Sequence, residues 1–154
     1  EDSFAPEGQV TRAQVAQILF NMEGKPAFTQ SGAFTDTAKS EWYFSPVMWA
    51  QSTGLVCGFP DGSFRPNEPI TREQMAAIFQ RYAQWKGMDT SAANGNIARF
   101  FDFGLVSDYA KAAMQWITGV GIMNGDDLGC LNPGSTATRA EIATMLMNFD
   151  RCFR

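Results

Sequence analysis

Three times along this chain the same short pattern opens a helix, so the fold must be built from equivalent units. The copies are Val10-Thr11-Arg12-Ala13-Gln14-Val15, Ile70-Thr71-Arg72-Glu73-Gln74-Met75 and Ala137-Thr138-Arg139-Ala140-Glu141-Ile142. Each reads as a capping box: the Thr at N-cap accepts from the N3 amide, and Gln14, Gln74 or Glu141 at N3 reaches back to the Thr amide. Apolar residues on either side supply a hydrophobic staple.

The stripe behind each start repeats as well. Val15, Ile18, Leu19 and Met22 follow i, i+3, i+4, i+7 spacing. The shift that carries Thr11 to Thr71 carries them to Met75, Ile78, Phe79 and Tyr82; the next shift gives Ile142, Met145, Leu146 and Phe149. All are apolar or aromatic, and no such helix can bury its stripe alone, so three are expected to pack as a central bundle. Upstream, Phe4-Ala5-Pro6, Phe64-Arg65-Pro66 and Leu131-Asn132-Pro133 stand at one distance from their Thr and predict an extended approach. A second helix is expected near Ser45–Thr53 and Tyr109–Val120, closed by Gly54 and Gly121 at C′, with turns at Asp61-Gly62 and Leu128-Gly129. Before each stands a Phe-x-Asp, Phe34-Thr35-Asp36 and Phe100-Phe101-Asp102, whose Asp is read as a helix cap. Glu23–Ala33 and Trp85–Ala98, the latter with Ser91-Ala92-Ala93-Asn94-Gly95-Asn96, read as surface linkers.

Arginine at N1 has no capping duty and sits at the unfavourable, positive end of the helix dipole. Arg12, Arg72 and Arg139 are therefore candidate ligand groups. First-turn amides attract anions, and a guanidinium beside them adds a bidentate clamp for a carboxylate or phosphate. The alternative is a solvated arginine on a well-capped helix.

Composition narrows the chemistry. A chain of 154 residues with 45% hydrophobic content can bury a core, and its net charge of -4 speaks against nucleic acid as partner. No apolar run is long enough to cross a membrane and no N-terminal signal peptide is seen, which reads as a soluble, processed or excised piece. Histidine is absent, removing the usual general base and the commonest metal ligand. No catalytic residue, cofactor or metal site is expected. Cys57, Cys130 and Cys152 form no CxxC pair and read as small buried hydrophobes, with a Cys130–Cys152 bridge left open. Asp61 and Asp126-Asp127 read as turn residues rather than calcium ligands, and Asp36 and Asp102 as structural rather than a glycosidase acid pair. Trp49 and Trp116 fall at a repeated core position, leaving Trp42 and Trp85 as candidates to stack on sugar rings.

The order Phe-x-Asp, aromatic-rich helix, Gly-(Leu/Ile) then Gly, (Phe/Leu)-x-Pro, and (Ile/Val)-Thr-Arg-(Ala/Glu)-(Glu/Gln) resembles the S-layer homology module. Its most specific stretch is Gly54 to Asn67 joined to Ile70–Gln74. The resemblance implies an all-α, pseudo-threefold spindle with a central three-helix bundle and peripheral helices and loops. The modules would be residues 1–29 (second half only), 30–90 and 91–154, together one compact domain. It also implies non-covalent attachment of a secreted or S-layer protein to the bacterial cell wall, through a secondary cell-wall polysaccharide carrying pyruvate ketals. The ligand residues carried over are Arg12, Arg72 and Arg139 with Thr11, Thr71 and Thr138 shaping the helix starts, and Gln14, Gln74 and Glu141 at N3. The alternative is an assembly module of the cell envelope that holds proteins together without glycan.

The sequence departs from the family pattern in places. Gln14 and Gln74 replace its Glu, Ala137 weakens the third staple, and Glu73 sets an extra negative charge beside Arg72 that would weaken the second site if the two pair. Phe4 falls halfway through a module, so the missing half was either lost from the chain or is supplied by a second copy in a homo-oligomer, with an exposed apolar patch where it belongs.

Overall fold

The computed structural model describes residues 7–91 and 96–153. The chain is all-α: among the described residues there are five α-helices, short 3-10 turns, and no strand beyond isolated antiparallel bridges. The helices are α1 (Arg12–Met22), α2 (Phe44–Ser52), α3 (Arg72–Trp85), α4 (Lys111–Gly119) and α5 (Arg139–Phe153). Among the described residues no helix is long and apolar enough to cross a membrane. The Phe4-Ala5-Pro6 anchor and residues 92–95 of the second linker lie outside the described residues.

Two compact units form, and their border does not follow the sequence repeat. One runs from Val10 to Pro69; the other holds the described residues before Val10 and after Pro69. In the first, α1 packs on α2, with Phe20 against Trp49 at 5.6 Å between ring centroids. The motif helix of one repeat thus rests on the aromatic helix of the next. In the second unit α3 packs on α4, and Phe149 of α5 meets Phe79 and Tyr82 of α3 at 5.8 and 5.4 Å. Met75, Ile78, Phe79 and Tyr82 are all buried, whereas Met22 of α1 is exposed and Leu146 of α5 half-buried. The apolar stripe is therefore fully used only in α3.

Local chemistry sets the ends of these elements. α2 starts one residue before the expected helix. It is closed by Gly54 at φ 79°, with Leu55 N donating to Ala50 O across the Schellman turn. α4 is shorter than expected because Asp108–Ala110 forms a 3-10 turn ahead of it. Trp49 and Trp116 are buried at the repeated core position.

The segments before the motif helices are not simply extended. Arg65 and Asn132 sit at φ 59° and 52°, a left-handed conformation that is uncommon for residues with a Cβ. What holds them is the aspartate of Phe-x-Asp. Asp36 accepts from Phe64 N and Arg65 N, both at 2.8 Å, and Asp102 accepts from Leu131 N and Asn132 N at 2.7 and 2.8 Å. These carboxylates clamp backbone amides far along the chain and do not cap a helix, a correction to the sequence expectation.

The phenylalanine of the same motif packs on glycine. A Cβ at Gly58 would stand 2.5 Å from Phe34 Cε1 and 2.9 Å from Ser63 O, and one at Gly125 would meet Phe100 Cε1 at the same 2.5 Å. Gly58→Ala is expected to cost about 1–2 kcal/mol through overpacking, read as a lower urea midpoint at unchanged slope. Stability equal to the parent would show that Phe34 moves aside freely.

Candidate functional site

The N-terminal turns of the motif helices are where the site was expected, and two of them are capped as the sequence predicts. Thr11 Oγ1 accepts from Gln14 N at 3.2 Å while Thr11 N donates to Gln14 Oε1 at 2.9 Å; the Thr71–Gln74 pair repeats this at 3.2 and 3.0 Å. The third box is half made. Thr138 Oγ1 accepts from Glu141 N at 3.1 Å, but the Glu141 carboxylate turns instead to Arg72.

The first-turn amides are not vacant, which overturns the idea of a guanidinium poised over unsatisfied N–H groups. Arg12 N and Ala13 N donate to Glu68 O and Pro66 O, both at 3.0 Å. Arg72 N and Glu73 N donate to Ser135 O and Pro133 O at 2.9 and 3.0 Å, and Arg139 N donates to Gly8 O at 2.9 Å. Each motif helix docks its positive end onto carbonyls of a loop from another repeat.

The three arginines occupy different surroundings. Arg12 is buried at 6% exposure: its Nε donates to Phe64 O at 2.8 Å, its Nη2 reaches Cys57 O at 3.4 Å, and its guanidinium lies 4.8 and 4.7 Å from the ring centres of Phe59 and Phe64. Arg65 covers the same Phe59 ring at 3.8 Å. Arg72 repeats the backbone clamp, donating from Nε to Leu131 O at 2.8 Å and from Nη2 to Asn124 O at 2.9 Å, and adds an ion pair from Nη1 to Glu141 Oε2 at 2.9 Å. Its side chain keeps 11% exposure. Arg139 is exposed, and its guanidinium has no hydrogen bond or ion pair among the described residues.

Glu73 does not pair with Arg72. It is buried and accepts from Ser107 N at 2.9 Å and Ser107 Oγ at 2.7 Å, holding the turn that leads into α4. Arg72 is thereby left to Glu141.

Open space adjoins Arg72. One cleft of about 270 Å³ is lined by Arg72, Asn124, Glu141 and Thr144 over an apolar floor that includes Ile122 and Met145. Another, of about 280 Å³, is lined by Arg72, Asn124, Asp126, Asn132, Ser135 and Glu141. Amide, hydroxyl, carboxylate and guanidinium groups together suit a polyhydroxylated ligand. A separate cleft of about 350 Å³ between α3 and α4 is lined by Gln80, Gln84, Thr90, Ser91, Ala112 and Gln115, none of them ionised.

The remaining candidates fall outside these clefts. Trp42 and Trp85 are both exposed, as expected, but neither lines the Arg72 clefts; Trp85 stacks on Tyr82 at 6.2 Å. Asp61 and Asp126 do turn chemistry. Asp61 is held below the usual carboxylate range by Ser63, and Asp126 by Asn132 first and then the Cys130 amide. Cys57 and Cys152 are exposed and Cys130 half-buried, all three as free thiols, so the reading of them as core residues is corrected and no Cys130–Cys152 bridge forms. The loop carbonyls that receive the arginines escaped the sequence reading, because a backbone oxygen has no residue type to mark it.

The S-layer homology domain model matches two tandem segments, residues 33–76 and 99–143. The cellulosome-anchoring protein of Acetivibrio thermocellus is 34% identical over 147 residues, which take in 93% of this chain and 32% of that protein. The S-layer protein sap of Bacillus anthracis is 27% identical over 97% of this chain and 18% of its own length. An amylopullulanase of Thermoanaerobacterium thermosulfurigenes is 30% identical over 95% of this chain and 8% of its own. The chain spans a third or less of each of these relatives, and the enzyme name belongs to a protein of which 8% is matched. The repeated Phe-x-Asp clamp, the Thr-Arg helix start and the two tandem matches together place this chain in the S-layer homology domain family.

Proposed function

We propose that this chain is a non-catalytic anchor that holds a secreted or S-layer protein to the bacterial cell surface by binding secondary cell-wall polysaccharide, pyruvylated in its acidic form, at the Thr-Arg helix starts. The observation that carries this reading is the pair of clefts on Arg72, where a guanidinium is ringed by hydroxyl, amide and carboxylate groups. Arg72 is held by the Leu131 and Asn124 carbonyls on two of its nitrogens and by Glu141 on the third. The relatives named as a cellulosome-anchoring protein and an S-layer protein support an extracellular setting. Arg72 and the exposed Arg139 are the groups assigned to acidic sugars, and binding at several weak sites adds up along a polymer. Arg12, buried on carbonyls and rings, is assigned a structural role.

Thr144 is exposed on α5, lines the cleft and takes no part in the scaffold contacts above. Thr144→Trp is therefore expected to fill the cleft and reduce retention on purified wall polysaccharide by about fivefold or more, while shifting stability by less than about 0.5 kcal/mol. Retention equal to the parent would remove this cleft from the binding surface. Polysaccharide stripped of pyruvate should bind more weakly than the intact polymer.

A second reading, an assembly module, draws on one observation. Phe101, Leu105 and Leu128 are 85%, 75% and 77% exposed, and the Phe101 ring lies over Gly129 beside Leu128. The corresponding positions in the preceding repeat are the polar Thr35 and Asp61 for Phe101 and Leu128. Undiminished cell-wall retention after complete removal of the polysaccharide would favour this reading.

A further inference from the structure

Glu141 stands where Gln14 and Gln74 stand in the other two motif helices, and its backbone amide makes the same bond to its threonine. Its side chain departs. Gln14 and Gln74 return to their cap amides, whereas the Glu141 carboxylate meets Arg72 Nη1 at 2.9 Å, in the wall of both clefts. We infer that Glu141 is a resident competitor: it holds the edge of Arg72 that an acidic sugar would take, so binding a ligand acid there exchanges one carboxylate for another. This rests on the reading of the Arg72 cleft as a glycan site.

Charge and geometry both support it. The Arg72 charge is offset by Glu141, and a second carboxylate, Asp126, lines the same cleft. An incoming carboxylate therefore gains the full Arg72 charge only by displacing Glu141. The carboxylate is the open end of the pair: the Glu141 side chain is 36% exposed against 11% for Arg72, so Glu141 is the partner that can turn out to water. Arg72 itself stays in place when the carboxylate leaves, because Leu131 O and Asn124 O hold its other nitrogens. Glu141 thus sets how strongly Arg72 holds an acidic sugar.

Calorimetric titration of the intact chain with a pyruvylated disaccharide, and with the same disaccharide after removal of the ketal, tests the assignment. Glu141→Gln should bind the acidic probe roughly three- to tenfold more tightly than the parent, with little change for the neutral probe. The gain should vanish in an Arg72→Lys background, since an ammonium cannot offer the forked edge. The fold is expected to survive because glutamine already fills this place at two helix starts; Glu141→Ala, which also frees Arg72, should show the same direction of change. Equal or weaker acid binding by folded Glu141→Gln overturns the inference and leaves the glycan reading standing. Failure of parent and variant to bind either probe overturns both.

Discussion

Arg12→Ala is expected to lower the unfolding free energy by about 3 kcal/mol, a large share of what a domain of this size has. The substitution removes a charged donor from Phe64 O, worth about 1.5–3 kcal/mol with the acceptor left behind, and strips a guanidinium from two aromatic faces at about 0.5–1 kcal/mol each. It also leaves a void at a site with 6% exposure. Arg139→Ala, at the same register of α5 but exposed, should change stability by less than about 0.5 kcal/mol. A sequence-only expectation makes the two variants alike, because each arginine is the N1 residue of an equivalent helix. Urea unfolding of the pair separates the views, and an Arg12→Ala midpoint equal to that of Arg139→Ala would refute the structural role given to Arg12.

Asp102→Ala should cost about 2–4 kcal/mol. Its two carboxylate oxygens each take one of two successive amides, Leu131 N and Asn132 N, and alanine leaves both donors without their acceptor in a part-buried setting. The same carboxylate stabilises Asn132 in its left-handed conformation, so its loss also frees the backbone to relax and moves Pro133, whose carbonyl receives Glu73 N at the start of α3. Asp102→Asn keeps one acceptor and should cost about half as much. If Asp102→Ala unfolds no more easily than Asp102→Asn, the bidentate clamp contributes nothing beyond one hydrogen bond. Asp36 holds Phe64 N and Arg65 N in the same way, and the equivalent change there should give a similar loss.

Much of the secondary structure could be read directly from residue order, and the reason is range. A capping box closes within four residues, so Thr11–Gln14 and Thr71–Gln74 carry their own partners in the sequence. A C′ glycine acts on the turn it ends, as Gly54 does, and an apolar stripe is visible at helical spacing whether or not its partner is known. The turn aspartates were legible for the same local reason.

What the arginines do was not legible. Their acceptors are the carbonyls of Phe64, Leu131 and Asn124, many residues away, and a carbonyl is present at every position. Sequence could mark the donor and had no means of marking the acceptor. The aspartates of Phe-x-Asp failed in the same way, since their partners are backbone amides. Glu141 shows the converse: the sequence assigned it a cap, and only the fold brought a guanidinium within 2.9 Å, where a full charge attracts the carboxylate more strongly than a peptide N–H does. Residue order by itself fixed the repeat, the helices and the capping boxes of α1 and α3; tertiary structure alone decided which arginine is a strut and which faces open space, because that depends on backbone atoms the residue code does not distinguish.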